Sequence, residues 1–251
     1  MTEASRRMVL SGGLALAGLS TALEAATEAR VRGVAFDAFT LFDPRSIARR
    51  TIELVPDKGE QLAAAWQAKL FASTWLMATA GQYESFTTLA DAALRFAAKS
   101  MGVPLSDAMR AELVAGYGEM DLWPDVAATL ERLRGAGVRL VVLSNLGAGL
   151  LIGSLRRTFI LRHFDAVLST DKVRRFKPSP AAYRMATGAL SLPADRIGFA
   201  AFAGWDAAGA GWFGYPTAWI NRLGAPAETV GPEPLVTSRD LSGVLTLAGL
   251  G

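Results

Sequence analysis

Val31-Arg32-Gly33-Val34-Ala35-Phe36 is a largely apolar run that stops at Asp37, and Ala38-Phe39-Thr40-Leu41-Phe42-Asp43 follows at once. A short apolar run cut off by a polar residue reads as a strand buried on both faces, the habit of strands in parallel sheets. Asp37 is thereby presented at the strand's carboxyl edge, with Thr40 and Asp43 expected in the turn that follows. Comparable runs recur downstream. Val138 to Leu143 reads as a strand ending at Ser144-Asn145, Phe164 to Leu168 as a shorter one, and Pro216 to Ile220 as the last. Ile197 to Ala201 reads as another, with Asp206 in the next turn. Helices are expected from Trp123-Pro124 through Arg134, near Leu150 to Thr158, and from Pro180 to Leu190. Alternating units of this size imply an α/β fold with a Rossmann-like, doubly wound parallel sheet, whose ligands bind outside the carboxyl ends of the strands. Asp37, Ser144-Asn145 and Asp206 all fall at such ends.

Between Ser46 and about Tyr117 the pattern turns helical: Leu62, Trp66 and Leu70, then Leu89, Ala93 and Phe96, recur at spacings of three and four. Pro56-Asp57-Lys58-Gly59, Gly81 and Gly102-Val103-Pro104 punctuate it, and no strand is expected there. The chain thus divides into a leader (1–29), an α/β core (30–45 and 122–251) and an inserted helical cap (46–121).

In the leader, Ser5-Arg6-Arg7-Met8-Val9-Leu10 runs into a Gly/Ala/Leu-rich stretch ending near Leu23. This resembles a twin-arginine export signal, which implies periplasmic localisation and a transient partner in the export machinery. A short hydrophobic anchor or a misassigned start are the alternatives, and a non-functional leader would leave the protein cytoplasmic. Losing residues 1–29 removes Arg6, Arg7, Glu3, Glu24 and Glu28 and moves the net charge from +3 to +4. That surplus is too small to indicate nucleic acid, and no basic block with interleaved aromatics accompanies it.

Composition excludes whole chemistries. With no cysteine there is no disulfide, thiolate nucleophile or cysteine zinc site, and a single histidine, His163, rules out a histidine metal cluster. Any hydrolysis must therefore run on carboxylates, lysine and hydroxyls. A carboxylate that attacks carbon or phosphorus forms a covalent intermediate, which water then opens. Asp37 is the candidate nucleophile, and Lys177 is suited to keep it ionised and to offset an anionic substrate. Thr40, Ser144 and Asn145 offer hydroxyl and amide contacts, and Asp206 either orients Lys177 or attends the hydrolytic water.

Taken in order, Phe36-Asp37 with Thr40-Leu41-Phe42-Asp43, Leu143-Ser144-Asn145, Phe176-Lys177-Pro178, Trp205-Asp206-Ala207-Ala208-Gly209-Ala210 and Phe213 through Arg222 resemble the type II (L-2-) haloacid dehalogenases. The likeness extends from about Val31 to Leu245, and Trp66, Lys69, Thr74-Trp75 and Ala92 to Phe96 match that family's cap. It implies hydrolytic dehalogenation of small 2-haloalkanoic acids through an ester at Asp37, with Lys177 and Asp206 as catalytic partners and no cofactor. It also allows a homodimer. Phosphatases of the wider superfamily carry a second Asp two positions after the nucleophile, to protonate the leaving oxygen and hold magnesium. Phe39 occupies that position here, and a departing halide needs neither. Phe39, Phe71, Phe86 and Trp205 fall where the family lines its substrate pocket.

Departures surround the same site. The family's Gly between the positions of Phe39 and Thr40 is missing, its cap Arg after Trp66 is Gln67, its Ser and Asn before Trp205 are Ala201 and Ala203, and its Gly after Asn145 is Leu146. Gln67 supplies no charge, so anion binding is expected to weaken by about one to three kcal/mol unless Arg45, Arg49 or Lys69 compensates. These losses leave a weakened, ligand-binding member as the second reading and a phosphatase as the third.

Overall fold

The computed structural model describes residues 31–251, so the leader lies outside the described residues. The expected core is present as a six-stranded sheet in the order β5-β4-β1-β6-β7-β8, every neighbouring pair parallel. Its strands are β1 (Gly33–Phe36), β4 (Arg139–Ser144), β5 (Ala166–Ser169), β6 (Ile197–Ala201), β7 (Thr217–Ile220) and β8 (Val236–Ser238).

Strand alternation decides which helices cover which face. Val34 and Phe36 of β1 and Leu140 and Val142 of β4 pack into one apolar cluster, with Val126, Leu130 and Leu133 of α6 (Val126–Gly135), Leu151 and Leu155 of α7 (Ala148–Arg157) and Val244 of α10 (Ser242–Leu247). Ala35, Val141, Leu143 and Phe199 face the other way, against Tyr183 and Ala186 of α8 (Pro180–Leu190) and Ala207 and Ala210 of α9 (Gly204–Phe213). Both faces of β1 are fully buried, and each side chain the size of Phe36 contributes roughly 1.5–3 kcal/mol by leaving water. From β1 the sheet grows outward in both directions, through β4 and β5 on one side and β6 to β8 on the other. The carboxyl end of β1 is therefore the topological switch point, where such sheets open a crevice.

The insert is four helices, α2 (Arg45–Leu54), α3 (Gly59–Thr79), α4 (Phe86–Ser100) and α5 (Asp107–Ala115). Their starts are chemically marked: Ser85 caps α4 by accepting from Thr88 N at 3.1 Å, and Ser106 caps α5 by accepting from Met109 N at 3.1 Å. Gly81 and Gly102 adopt φ of 67° and 64° just past α3 and α4, where a side chain would be strained. Trp66 Nε1 donates to Ala90 O at 2.8 Å and joins α3 to α4.

Several local expectations need correcting. Residues Ala38–Leu41 form a short helix, α1, rather than an open turn, because the Asp37 carboxylate caps it. Asp43 belongs to a two-residue strand, β2 (Phe42–Asp43), paired antiparallel with β3 (Asp121–Leu122) where the chain leaves and re-enters the core. Elements this short carry no periodicity to read. Arg45 and Arg49 are both within 3.6 Å of Asp43, so this carboxylate serves the crossing between the two layers. Burial pushes the Asp43 carboxyl up, but Arg45 more than offsets it and holds it below the usual range. Asp206 lies in the first turn of α9, not in a preceding loop, and β8 and α10 are further elements beyond the last expected strand.

Candidate active site

Three adjacent strands deliver the site. Asp37 follows β1, Ser144 ends β4, and Asp206 begins α9 just after β6. The Asp37 amide donates to Ala200 O at 2.9 Å, which fixes the backbone of the residue, and its Oδ2 accepts from Phe39 N at 3.0 Å. The other oxygen, Oδ1, accepts from Lys177 Nζ at 2.7 Å. Lys177 also donates to Asp206 Oδ2 at 2.6 Å, and Asp206 Oδ1 accepts from Tyr183 Oη at 2.7 Å. Asn145 holds the lysine by its backbone: Asn145 Oδ1 accepts from Lys177 N at 2.9 Å.

The side chains of Lys177 and Asp206 are 1% and 2% exposed, and that of Asp37 is 11% exposed. So dry a cluster shifts its members. Burial works against the Lys177 charge, but Asp206 and Asp37 more than offset it and hold its pKa above the ordinary lysine value. Burial pushes Asp206 up to about 6, with Lys177 and the Tyr183 hydroxyl pulling the other way and Asp37 reinforcing the rise. Tyr183, desolvated beside Asp206, stays protonated far above the usual phenol range, as a donor to that carboxylate must.

The cluster floors a cleft of about 520 Å³ between core and cap. Asp37, Phe39, Ser144, Asn145, Lys177, Trp205 and Asp206 line it from the core, and Gln67, Phe71 and Phe86 from the cap. Thr40 is the expected site residue that the structure does not bring there: its hydroxyl, fully buried, donates to Asp37 O at 2.7 Å. Ser144 Oγ accepts from Leu146 N at 3.1 Å, so its oxygen also secures the loop. Asn145 lines the cleft, and its Nδ2, in contrast, makes no hydrogen bond among the described residues.

The proposed compensations for Gln67 do not reach this space. Arg45 pairs with Asp43 and lies over Trp123, Arg49 bonds Asp121, and the Lys69 ammonium sits 4.4 Å from the Phe96 ring centre. Among the described residues, Lys177 is the cation that lines the cleft. An ammonium has three donors, and here two go to Asp37 and Asp206. The third finds no described acceptor. Ala201 is fully buried at the end of β6, and Ala203 lines the cleft at the N-cap of α9 without a side-chain hydrogen bond.

Whether these residues fit a divalent cation can be judged from the donors themselves. Lys177 Nζ stands between the two carboxylates, Phe39 presents a ring, and no group of three His, Asp or Glu side chains gathers among the described residues. Hard cations want several oxygens, which this set does not supply.

Tyr183 at the Asp206 carboxylate, and Phe202 and Trp75 in the cleft wall, are positions that sequence reasoning did not single out for the site. Tyr183 sits on the buried stripe of α8, where an aromatic reads as core. Its placement shows only in packing: a Cβ on Gly209 would lie 2.5 Å from Tyr183 Oη and 2.8 Å from Pro178 Cβ, so the glycine lets α9 close on both. Phe202 and Trp75 line the cleft beside Phe39 and Phe71.

A family profile described as haloacid dehalogenase-like hydrolase matches residues 23–199. The (S)-2-haloacid dehalogenase of Pseudomonas sp. (strain YL) is 34% identical over 205 residues, covering 81% of this chain and 88% of that protein. Among solved structures, the L-2-haloacid dehalogenase RSc1362 superposes with a TM-score of 0.84 at 37% identity, over 87% of this chain and 99% of that one. The L-2-haloacid dehalogenase of Xanthobacter autotrophicus with chloropropionic acid covalently bound gives 0.79 at 27% identity, over 86% and 98%.

Proposed function

The chain belongs to the haloacid dehalogenase-like hydrolases, and from that membership we propose that it hydrolyses the carbon–halogen bond of small 2-haloalkanoic acids. The observation that carries this reading is the buried Lys177 bridging Asp37 and Asp206 on the floor of an aromatic-lined cleft. A carboxylate oxygen of Asp37 attacks C2 from the side opposite the halogen, and the halide leaves with the bonding electrons. Water then adds to the resulting ester at the Asp37 carbonyl carbon, giving back the carboxylate and releasing the 2-hydroxy acid. The sum consumes one water and yields one halide and one proton. Lys177 steadies the negative charge of Asp37 before attack and that of the tetrahedral intermediate afterwards. The covalent chloropropionic acid in the Xanthobacter autotrophicus relative supports the ester step. Phosphate esters are disfavoured, because Phe39 offers no proton to an alkoxide. Halide release from 2-chloropropionate tests the proposal; none, with the ligand nonetheless bound, would leave a binding protein.

Asp206 is the group in position to take the proton from the hydrolytic water, and it does so only when ionised. Its carboxyl is raised by burial to about 6, so turnover is expected to fall as pH drops through about 6, where protonation removes the base. Tyr183→Phe deletes a hydrogen bond that favours the carboxylate. The acid limb of the kcat profile should therefore move to higher pH. A limb that stays put or moves down would take Asp206 out of this role.

Export belongs to the same proposal. Arg6 and Arg7 ahead of the apolar stretch support twin-arginine targeting to the periplasm. Arg6→Lys with Arg7→Lys should leave precursor inside the cell; normal processing would refute the signal. A homodimer is the assembly proposed, to be read by sedimentation.

A further inference from the structure

The one-turn helix α1 is too short to hold itself together. A helix leaves its last carbonyls without partners of its own, and a single turn formed in isolation is unfavourable. The nucleophile nevertheless depends on this turn, because Asp37 Oδ2 accepts from Phe39 N at 3.0 Å and Phe39 lines the cleft. One carbonyl closes within the turn, where Phe42 N donates to Ala38 O. Two residues far along the chain satisfy the other three. Trp123 Nε1 donates to Phe39 O at 3.1 Å, Arg222 Nη2 to Thr40 O at 2.8 Å, and Trp123 N to Leu41 O at 3.0 Å.

The two donors are themselves held in place. Trp123 follows β3, where the chain returns from cap to core, and Arg222 follows β7, the second strand over from β1. The Arg222 side chain is 5% exposed, and its guanidinium pairs with Asp125 at 3.0 Å and lies 4.6 Å from the centre of the Trp123 ring. Asp125 Oδ2 also accepts from Leu241 N at 2.7 Å, which ties the pair into the core. Arg45 lies over the same indole at 4.9 Å. Arg222 Nε is buried without an acceptor among the described residues, a cost that the bonds of the other nitrogens offset.

We propose that Trp123 and Arg222 are positioning residues for the displacement step, holding α1 so that Phe39 N stays on Asp37 Oδ2 and the carboxylate keeps its aim into the cleft. Neither residue lines the cleft. Trp123 acts through the backbone of Phe39, whose N–H meets the nucleophile and whose carbonyl meets the indole. Arg222 acts one residue later, on Thr40, whose N and Oγ1 both donate to Asp37 O, at 3.1 and 2.7 Å. A nucleophile displaced by about 1 Å loses about a hundredfold in rate, so a hold on the turn is felt in the chemistry. The rate effect rests on the dehalogenation reading above, whereas the hold on α1 does not.

Trp123→Phe deletes the indole N–H and keeps a ring for the two guanidiniums, whereas Trp123→Leu deletes both. Halide release from 2-chloropropionate is followed in a single turnover with enzyme in saturating excess, where the rate constant reports displacement and is independent of how much of a variant is folded. Both variants should slow by about tenfold to a hundredfold, because they lack the same N–H, and Trp123→Leu should in addition melt lower than Trp123→Phe. Arg222→Met combined with Asp125→Asn removes the buried pair together, leaving no unpaired charge and an amide oxygen for Leu241 N, and should slow the same step. Amide hydrogen exchange in the segment 38–43 should speed up in Trp123→Phe while β4 stays protected. A full rate constant in Trp123→Phe or in the Arg222–Asp125 double variant overturns the proposal, and a loss confined to Trp123→Leu assigns the ring to packing alone. If the unsubstituted protein releases no halide, the dehalogenase reading falls and exchange decides the hold by itself: unchanged protection of 38–43 in Trp123→Phe overturns it, and faster exchange upholds it.

Discussion

Asp37→Asn is expected to abolish halide release, by about 10⁴- to 10⁶-fold, the scale on which nucleophile removal acts in covalent catalysis. The asparagine is isosteric and keeps the cap on α1 with its amide oxygen accepting from Phe39 N as Oδ2 does now, while its NH2 replaces the oxygen that accepts from Lys177. Lys177 keeps Asp206 as its charged partner at 2.6 Å, so the buried ammonium is not abandoned. Lys177→Met is a poorer test: it leaves two buried carboxylates facing each other, and removing one partner of such an ion pair costs about 3–5 kcal/mol. Activity would vanish there for lack of a folded protein. Thermal unfolding of Asp37→Asn beside the halide assay separates the two causes. A folded variant retaining halide release within tenfold would move the nucleophile elsewhere.

Much of this arrangement is legible in the sequence because it depends on strands. Apolar runs ending in Asp37, Ser144-Asn145 and Ala201 announce buried parallel strands, and a parallel sheet brings their carboxyl ends together. Lys177 is legible for another reason, since Phe176-Lys177-Pro178 resembles a motif of the haloacid dehalogenases. The features that escape lack a local signature. Thr40 is a hydroxyl three residues from the nucleophile, yet the one-turn helix α1 folds it back onto the Asp37 carbonyl. Tyr183 is separated from Asp206 by more than twenty residues and reads as core packing, so its phenol–carboxylate bond exists only after α8 and α9 have packed. Arg45, Arg49 and Lys69 look equally able to serve an anion in sequence. Only the structure shows their charges committed to Asp43, Asp121 and a phenylalanine face.

With the nucleophile kept and its surroundings changed, the second chemical step should become the slow one. Displacement needs the Asp37 carboxylate facing open space, and Asp37, held by Lys177 at 2.7 Å, lines the cleft. Ester opening needs a water held against the Asp37 carbonyl carbon and a base to take its proton. Each Asp206 oxygen already accepts one hydrogen bond, from Lys177 or Tyr183, and both bonds oppose its taking a proton. The positions where the family resemblance implies polar side chains beside the water, Ala201 and Ala203, carry no polar atom, and the third Lys177 donor has no described acceptor. Losing an oriented hydrogen bond in such a site costs about a hundred- to a thousandfold in rate. Rapid mixing with 2-chloropropionate should therefore release halide in a burst near one equivalent, followed by slow turnover. Intact-protein mass spectrometry should show the ester, mapping to the peptide that contains Asp37. Ala201→Ser with Ala203→Asn should shorten the ester's lifetime, and the second of these changes would in addition place a capping side chain at the start of α9, raising stability by about 0.5–2 kcal/mol. The stability gain is read in Ala203→Asn alone, because Ala201→Ser adds a hydroxyl at a fully buried position, whereas the shortened lifetime appears only if these two positions govern it. Halide release without a burst or an adduct would mean that water reaches the ester unaided, and that the two alanines are no handicap.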